Sequence, residues 1–126
     1  MELEEFKRQL DLAYDLMSEE NYKEAIIRLE KLVEIDKKSD FNYGHTHRLH
    51  QLYSNAKSLY NQQEILKCIN SMTSKQKALT FKELGTIIRD NSEIDIDDTI
   101  VRKEVELLVL RQKLNCRIHE DSLVFD

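Results

Sequence analysis

The chain has no proline, no tryptophan and only two glycines in 126 residues. Sheets built from many short strands need turn residues at every corner, so this scarcity excludes sandwiches, barrels and propellers. The two glycines, Gly44 and Gly85, belong to no spaced glycine run, which excludes the loops that cradle phosphates. Cysteine is equally sparse. Cys68 and Cys116 match no metal or redox spacing, and they point to a reducing compartment, cytoplasmic and/or nuclear. No apolar run reaches transmembrane length, and the opening Met1-Glu2-Leu3-Glu4-Glu5 is too acidic and broken for a signal peptide, so no membrane partner is expected. An excess of basic charge is also missing. Nineteen Lys and Arg face 24 Asp and Glu, a net charge of −5. The deficit divides evenly, −3 over residues 1–72 and −2 over 73–126. Binding nucleic acid through its phosphates needs a basic stripe that releases counterions. The best candidate, Lys75, Lys77 and Lys82, is short and is followed by the acidic Asp90, Glu93, Asp95, Asp97 and Asp98.

What is present is a 40% hydrophobic, 34% charged composition with helical periodicity. Phe6, Leu10, Ala13, Tyr14 and Met17 recur at the 3–4 spacing of an amphipathic helix. After Ser18-Glu19-Glu20, Asn21 is placed to cap a second helix, with Glu24 completing a capping-box pattern. That helix is expected to bury Tyr22, Ala25, Ile26, Leu29, Leu32 and Val33. A polar connector over 36–42 leads to a third helix with Leu49, Leu52, Tyr53, Ala56, Leu59 and Tyr60 on one stripe. A shorter fourth follows with Ile65, Leu66, Ile69 and Met72. The first pair resembles a tetratricopeptide repeat from Leu12-Ala13-Tyr14-Asp15-Leu16 through Asn21-Tyr22-Lys23-Glu24-Ala25-Ile26 to Leu29-Glu30-Lys31 and Glu34-Ile35-Asp36. Small Ala13 and Ala25 allow close helix approach while Leu16, Tyr22 and Leu29 fill the groove. Two positions depart from that pattern: Glu20 stands at the usual turn glycine and Lys37 at the usual proline. A solenoid needs about three repeats to stand alone, and this chain has room for two.

Residues 73–126 supply a different end. Thr80-Phe81-Lys82-Glu83 is a capping box opening a helix with Phe81, Leu84, Ile87 and Ile88 inward. Asp97-Asp98-Thr99 precedes a helix over Thr99–Gln112, with Ile100, Val101, Val105, Leu108 and Val109 inward and acidic residues suited to its dipole. Beyond Lys113 the period becomes two: Cys116 and Ile118 share a face, then Leu123 and Phe125, with Glu120-Asp121-Ser122 as the turn and Ala78-Leu79 as a short third strand. The expected fold is therefore mainly α: helical-repeat hairpins over 1–72, then a winged-helix subdomain over 73–126 with a small antiparallel β hairpin.

These stretches resemble the carboxy-terminal part of the PCI family, the scaffold subunits of the proteasome lid, the signalosome and initiation factor three. The matches are Thr80-Phe81-Lys82-Glu83-Leu84-Gly85-Thr86-Ile87-Ile88, Val101-Arg102-Lys103-Glu104-Val105-Glu106-Leu107-Leu108, Lys113-Leu114-Asn115-Cys116-Arg117-Ile118 and Leu123-Val124-Phe125. Ile65-Leu66 to Ile69 sits where that family carries a helix leading into the winged helix. The segment 90–98 is longer and more acidic than the family's usual connection. The resemblance implies a non-catalytic scaffold or adaptor whose partners are other helical-repeat and winged-helix subunits, joined edge to edge through the hairpin over 115–125. The interface residues so implied are Arg102, Lys103, Asn115, Arg117, His119 and Val124, with Arg117 and His119 flanking a seam if Cys116 and Ile118 face inward.

Other constellations carry less. His45, His47 and His50 are the one dense group of candidate metal ligands; His47 and His50 share a helix face, with His45 reaching back from the loop after Gly44. No nearby cysteine or carboxylate completes a four-ligand shell, so a polar helix start is the favoured reading and no cofactor is expected. Cys116 and His119 would lie on opposite faces of one strand, and Asp97 and Asp98 in a solvated linker, so no enzyme is expected. The outward set of the last helix, Arg102, Lys103, Glu104, Glu106 and Arg111, is mixed in charge and disfavours nucleic acid. Two alternatives remain: a free-standing repeat adaptor that binds a peptide in the hairpin groove, and a winged-helix nucleic-acid-binding protein.

Overall fold

The structure is a computed structural model that describes residues 1–72 and 77–125; Lys75 of the short basic run lies outside the described residues. In chain order the elements are α1 (Leu3–Ser18), α2 (Tyr22–Lys37), α3 (Tyr43–Ser71), β1 (Ala78–Thr80), α4 (Phe81–Asn91), α5 (Asp98–Leu110), β2 (Cys116–His119) and β3 (Ser122–Phe125). They form two units, Met1–Tyr60 and Asn61–Asp126, so the division falls inside α3.

The first unit is a helical hairpin with a third helix against it. Phe6, Leu10 and Ala13 of α1, Leu29 and Leu32 of α2, and Leu49 and Ala56 of α3 form one buried cluster, edged by Met17, Ile26, Val33 and Tyr53. Ala13 and Ala25 are both fully buried, as close helix approach requires. Tyr14 departs from expectation at 54% exposed: it lies a quarter-turn off the line Phe6–Leu10–Ala13–Met17. Asn21 precedes α2, but its side chain makes no capping bond and the expected box with Glu24 does not form. At ψ 65° its backbone is outside the extended region from which such a side chain reaches the helix amides.

The turn before it solves the missing glycine. Asn21 N–H donates to the Leu16 carbonyl at 2.8 Å and Glu20 N–H to that of Met17 at 3.0 Å, the paired bonds of a Schellman motif. Glu20, at φ 62°, holds the left-handed position that usually falls to glycine.

Residues 43–71 were expected as two helices and are one, so the second hairpin of the array gives way to a continuous α3 of 29 residues. Nothing between Tyr60 and Ile65 breaks a helix: Asn61-Gln62-Gln63-Glu64 contains neither glycine nor proline. The apparent break is a phase slip. The buried Ala56 and Ile65 are nine residues apart, two and a half turns, so the apolar stripe restarts on the other side of the helix.

The second unit runs from the end of α3 through β1, α4, α5, β2 and β3. Its sheet is antiparallel with β3 in the middle, order β1-β3-β2, which is winged-helix connectivity. Ala78 pairs with Val124 and Leu79 with Leu123 on one side of β3; Cys116 pairs with Phe125 and Ile118 with Leu123 on the other. The capping box of α4 forms as expected, Glu83 N–H donating to Thr80 Oγ1 at 3.1 Å while Thr80 N–H donates to Glu83 Oε1 at 3.2 Å. Phe81, Leu84, Gly85 and Ile88 of α4, Val101, Val105 and Leu108 of α5, and Leu79, Cys116 and Leu123 of the sheet are buried. The turn of the β hairpin is the pair Glu120-Asp121, with Glu120 at φ 55° and Ser122 already in β3.

Candidate functional site

The sheet has two edges, β1 and β2, and β2 is the longer. Strand alternation sorts its side chains as the sequence implied: Cys116 is buried and Ile118 half-buried, while Arg117 and His119 are exposed. Arg117 stands across from Val124 and His119 from Ser122, so the outer face of the hairpin carries those four side chains together. Asn115, just before the strand, is exposed. The remaining two implied interface residues lie on α5. Arg102 is occupied within the unit: its guanidinium sits 5.2 Å from the centre of the Phe81 ring and its Nε donates to Glu106 at 3.0 Å. Lys103 is exposed.

Helix α5 begins one residue before the expected start and ends at Leu110. Asp97 caps it by accepting from Ile100 N–H at 2.9 Å. Asp98 accepts from Arg89 Nη1 at 3.0 Å, and the same Nη1 donates to the Ile96 carbonyl at 2.9 Å, so Arg89 braces the acidic connection. Ile94, buried, anchors that connection from inside. Gly85 faces this brace: a Cβ there would run into Asp98 Oδ1 and lie 3.0 Å from Arg89 Nη1. Here glycine serves close approach rather than a turn.

Two side chains of α5 differ from expectation. Glu104, expected outward, is only 1% exposed, and Ile100, expected inward, is 38% exposed. One cause covers both: the buried line is Val101, Glu104, Val105 and Leu108, which leaves Ile100 a quarter-turn off it. Glu104 accepts from Gln62 Nε2 at 3.5 Å, Gln62 is itself buried, and its Oε1 accepts from Arg111 Nη1. This polar chain joins α3 to the middle of α5 and to Arg111, the residue that follows it. It escaped a reading by residue type, although the i, i+3, i+4, i+7 spacing around Glu104 was its signal. Leu110 also escaped notice: at the last position of α5 it is 77% exposed.

The histidines fall on the first turns of α3, including His45, which is helical rather than in a loop because α3 starts at Tyr43. His47 stacks on the exposed Tyr43 ring, centroids 5.8 Å apart and planes 18° apart. Among the described residues no group of three or more His, Cys, Asp or Glu is placed to share a metal ion. Cys116 and His119 point to opposite sides of β2, the one buried and the other exposed. Burial, with Glu64 nearby, pushes the Cys68 thiol above its usual range. On the first unit, Leu12, Asp15, Leu16, Glu19 and Arg28 line an open cavity of about 250 Å³ between α1 and α2. Among the described residues no helix is long and apolar enough to cross a membrane.

No family model, no curated protein and no solved structure matches the chain.

Proposed function

We propose that this chain is a non-catalytic scaffold or adaptor subunit that works through protein contacts in a multisubunit complex of the cytoplasm or nucleus. The PCI resemblance supplies the kind of complex, in which helical-repeat and winged-helix subunits join at their sheets. The observation that carries the reading is the character of α5. A helix that enters a DNA major groove presents its first turns to bases between phosphates. Here Asp95, Asp97 and Asp98 surround that end, and the exposed face beyond it holds Ile100 and Leu110. Carboxylates there repel phosphate, and exposed aliphatic side chains favour a protein surface. Beside it, β2 is a sheet edge of four residues flanked by Arg117 and His119, suited to pairing with a strand of another subunit.

The test is co-purification from cells of the wild-type chain and of the double variant Arg117→Glu, His119→Glu. Wild type should bring down winged-helix or helical-repeat subunits, and the double variant should lose them while keeping its fold by circular dichroism. Unchanged assembly of the variant would remove the hairpin seam. A salt titration against duplex DNA decides the nucleic-acid alternative, with no binding expected even at low ionic strength. The cavity lined by Leu12, Leu16 and Arg28 favours one second reading, an adaptor that holds a peptide on the α1–α2 hairpin. Leu16→Arg should abolish peptide capture on that reading and leave subunit assembly intact on the first.

A further inference from the structure

The outer side of α5 carries a pattern that the hairpin does not account for. Ile100, Lys103, Leu107 and Leu110 follow one another at spacings of three, four and three, the a and d positions of two successive heptads. Leu110 is 77% exposed, Ile100 38%, and Leu107 half-buried. An exposed leucine flanked along its own helix by two more aliphatic side chains is a seam awaiting a second helix. The charges along this seam are polar end to end. Asp95, Asp97 and Asp98 gather at its start, Arg111 and Lys113 at its finish.

That polarity selects the occupant. A helix laid antiparallel on α5 must offer basic charge at its carboxy end, acidic charge at its amino end and apolar residues between. Helix α5 itself meets this description. We propose that α5 is a self-association surface on which a second copy of this chain packs antiparallel about a two-fold axis level with Val105. In that register Ile100 faces the partner's Leu110, and Lys103 faces the partner's Leu107. The acidic start of each helix, with Asp95 and Asp97, then lies beside the basic finish of the other, where the partner's Lys113 follows the turn that closes α5. The contact is isologous, so each pair occurs twice. The two helix dipoles oppose, which adds to the charge match. Lys103 lays its methylene stem along the apolar seam with the ammonium emerging at the edge, which costs affinity and fixes the register. Two helices about 20 Å long bury less than the ~1,200 Å² typical of a stable complex, so the dimer should form in the micromolar range or weaker.

The proposal concerns a different face from the hairpin edge, and the experiment separates the two. Sedimentation equilibrium of the full chain over a concentration series should show the mass rising from the monomer's 15.0 kDa toward twice that value. Leu110→Glu changes an exposed side chain, so it should leave the thermal midpoint unchanged and raise the dissociation constant at least about tenfold. Lys113→Glu should weaken the dimer about two- to fivefold, and adding Asp95→Lys to it should restore wild-type affinity. The Arg117→Glu, His119→Glu variant should dimerise like wild type. A chain that stays monomeric throughout the series overturns the proposal. So does a dimer indifferent to Leu110→Glu, or one lost in the hairpin variant, since either would place the contact elsewhere.

Discussion

Among the described residues three carry a backbone shape for which the sequence supplies no glycine: Glu20, Gln112 and Glu120, at φ 62°, 60° and 55°. Gln112 closes α5 as Glu20 closes α1, with Lys113 N–H donating to the Leu108 carbonyl at 2.9 Å and Gln112 N–H to that of Val109 at 3.0 Å. A side chain in the left-handed region costs about 1 kcal/mol, which the two carbonyl bonds and the packed helix offset. Glycine relieves that cost but gives the unfolded chain more freedom, so Gln112→Gly should raise stability by less than about 1 kcal/mol, read as a higher denaturant midpoint at unchanged slope. Scarcity of glycine was thus a correct guide to fold class and no guide to turn geometry. At the same scale, Glu5 accepts hydrogen bonds from Arg8 at 2.6 and 2.9 Å and from Gln9 at 2.9 Å. The Arg8 bonds first, and Gln9 second, hold its carboxyl down from 4.5 to about 2. Because the folded value is the lower one, this pair stabilises above pH 4.5 and its contribution is lost as pH falls toward 2. Carboxyl NMR titration should find the Glu5 midpoint near the lower value in wild type and higher in Arg8→Gln, still short of 4.5 because Gln9 continues to donate.

At the scale of elements, the sequence was most legible where a local signal and a tertiary need agree. The capping box at Thr80 and Glu83, the acidic cap of α5 and the period-two stretch from Cys116 all form as their residue types imply. It misled where a tertiary demand overrides a local one. Helix α3 reads as two because its stripe changes sides between Ala56 and Ile65, a slip that a helix serving two cores tolerates and a single amphipathic face does not. Glu104 misled through its charge. Among Val101, Val105 and Leu108 the spacing puts it inward, and Gln62 makes that position tolerable by donating to its carboxylate. Glu104→Ala removes that acceptor and opens a void beside Gln62, and should cost about 2–3 kcal/mol by chemical denaturation. Glu104→Gln keeps the volume and an acceptor oxygen, and should cost less than about 1 kcal/mol. Equal losses would show that packing alone holds this position. The candidate surface was legible only in part: alternation in β2 placed Arg117 and His119 outward, whereas Leu110 went unread because one leucine at a helix end has no pattern until the burial of its neighbours is known.

At the scale of the molecule, the division between the two units inside α3 makes a demand that composition does not reveal. The second unit holds the sheet, α4 and α5, yet Gln62, Ile65 and Cys68 from the last turns of α3 are among its buried residues. One side of the core formed by the sheet, α4 and α5 is thus supplied by the end of a longer helix. A fragment of residues 61–126 retains the Glu104–Gln62–Arg111 chain and the buried Ile65. Its 66 residues are enough for a single core of modest stability without a staple. A fragment of residues 73–126 loses all of these contacts and exposes the apolar side of the core that Ile65 and Cys68 cover. The longer fragment should give a cooperative thermal transition and dispersed amide NMR signals, and the shorter one should give neither. Cooperative folding of the shorter piece would mean that α4, α5 and the sheet close a core by themselves, and that the end of α3 only rests on it.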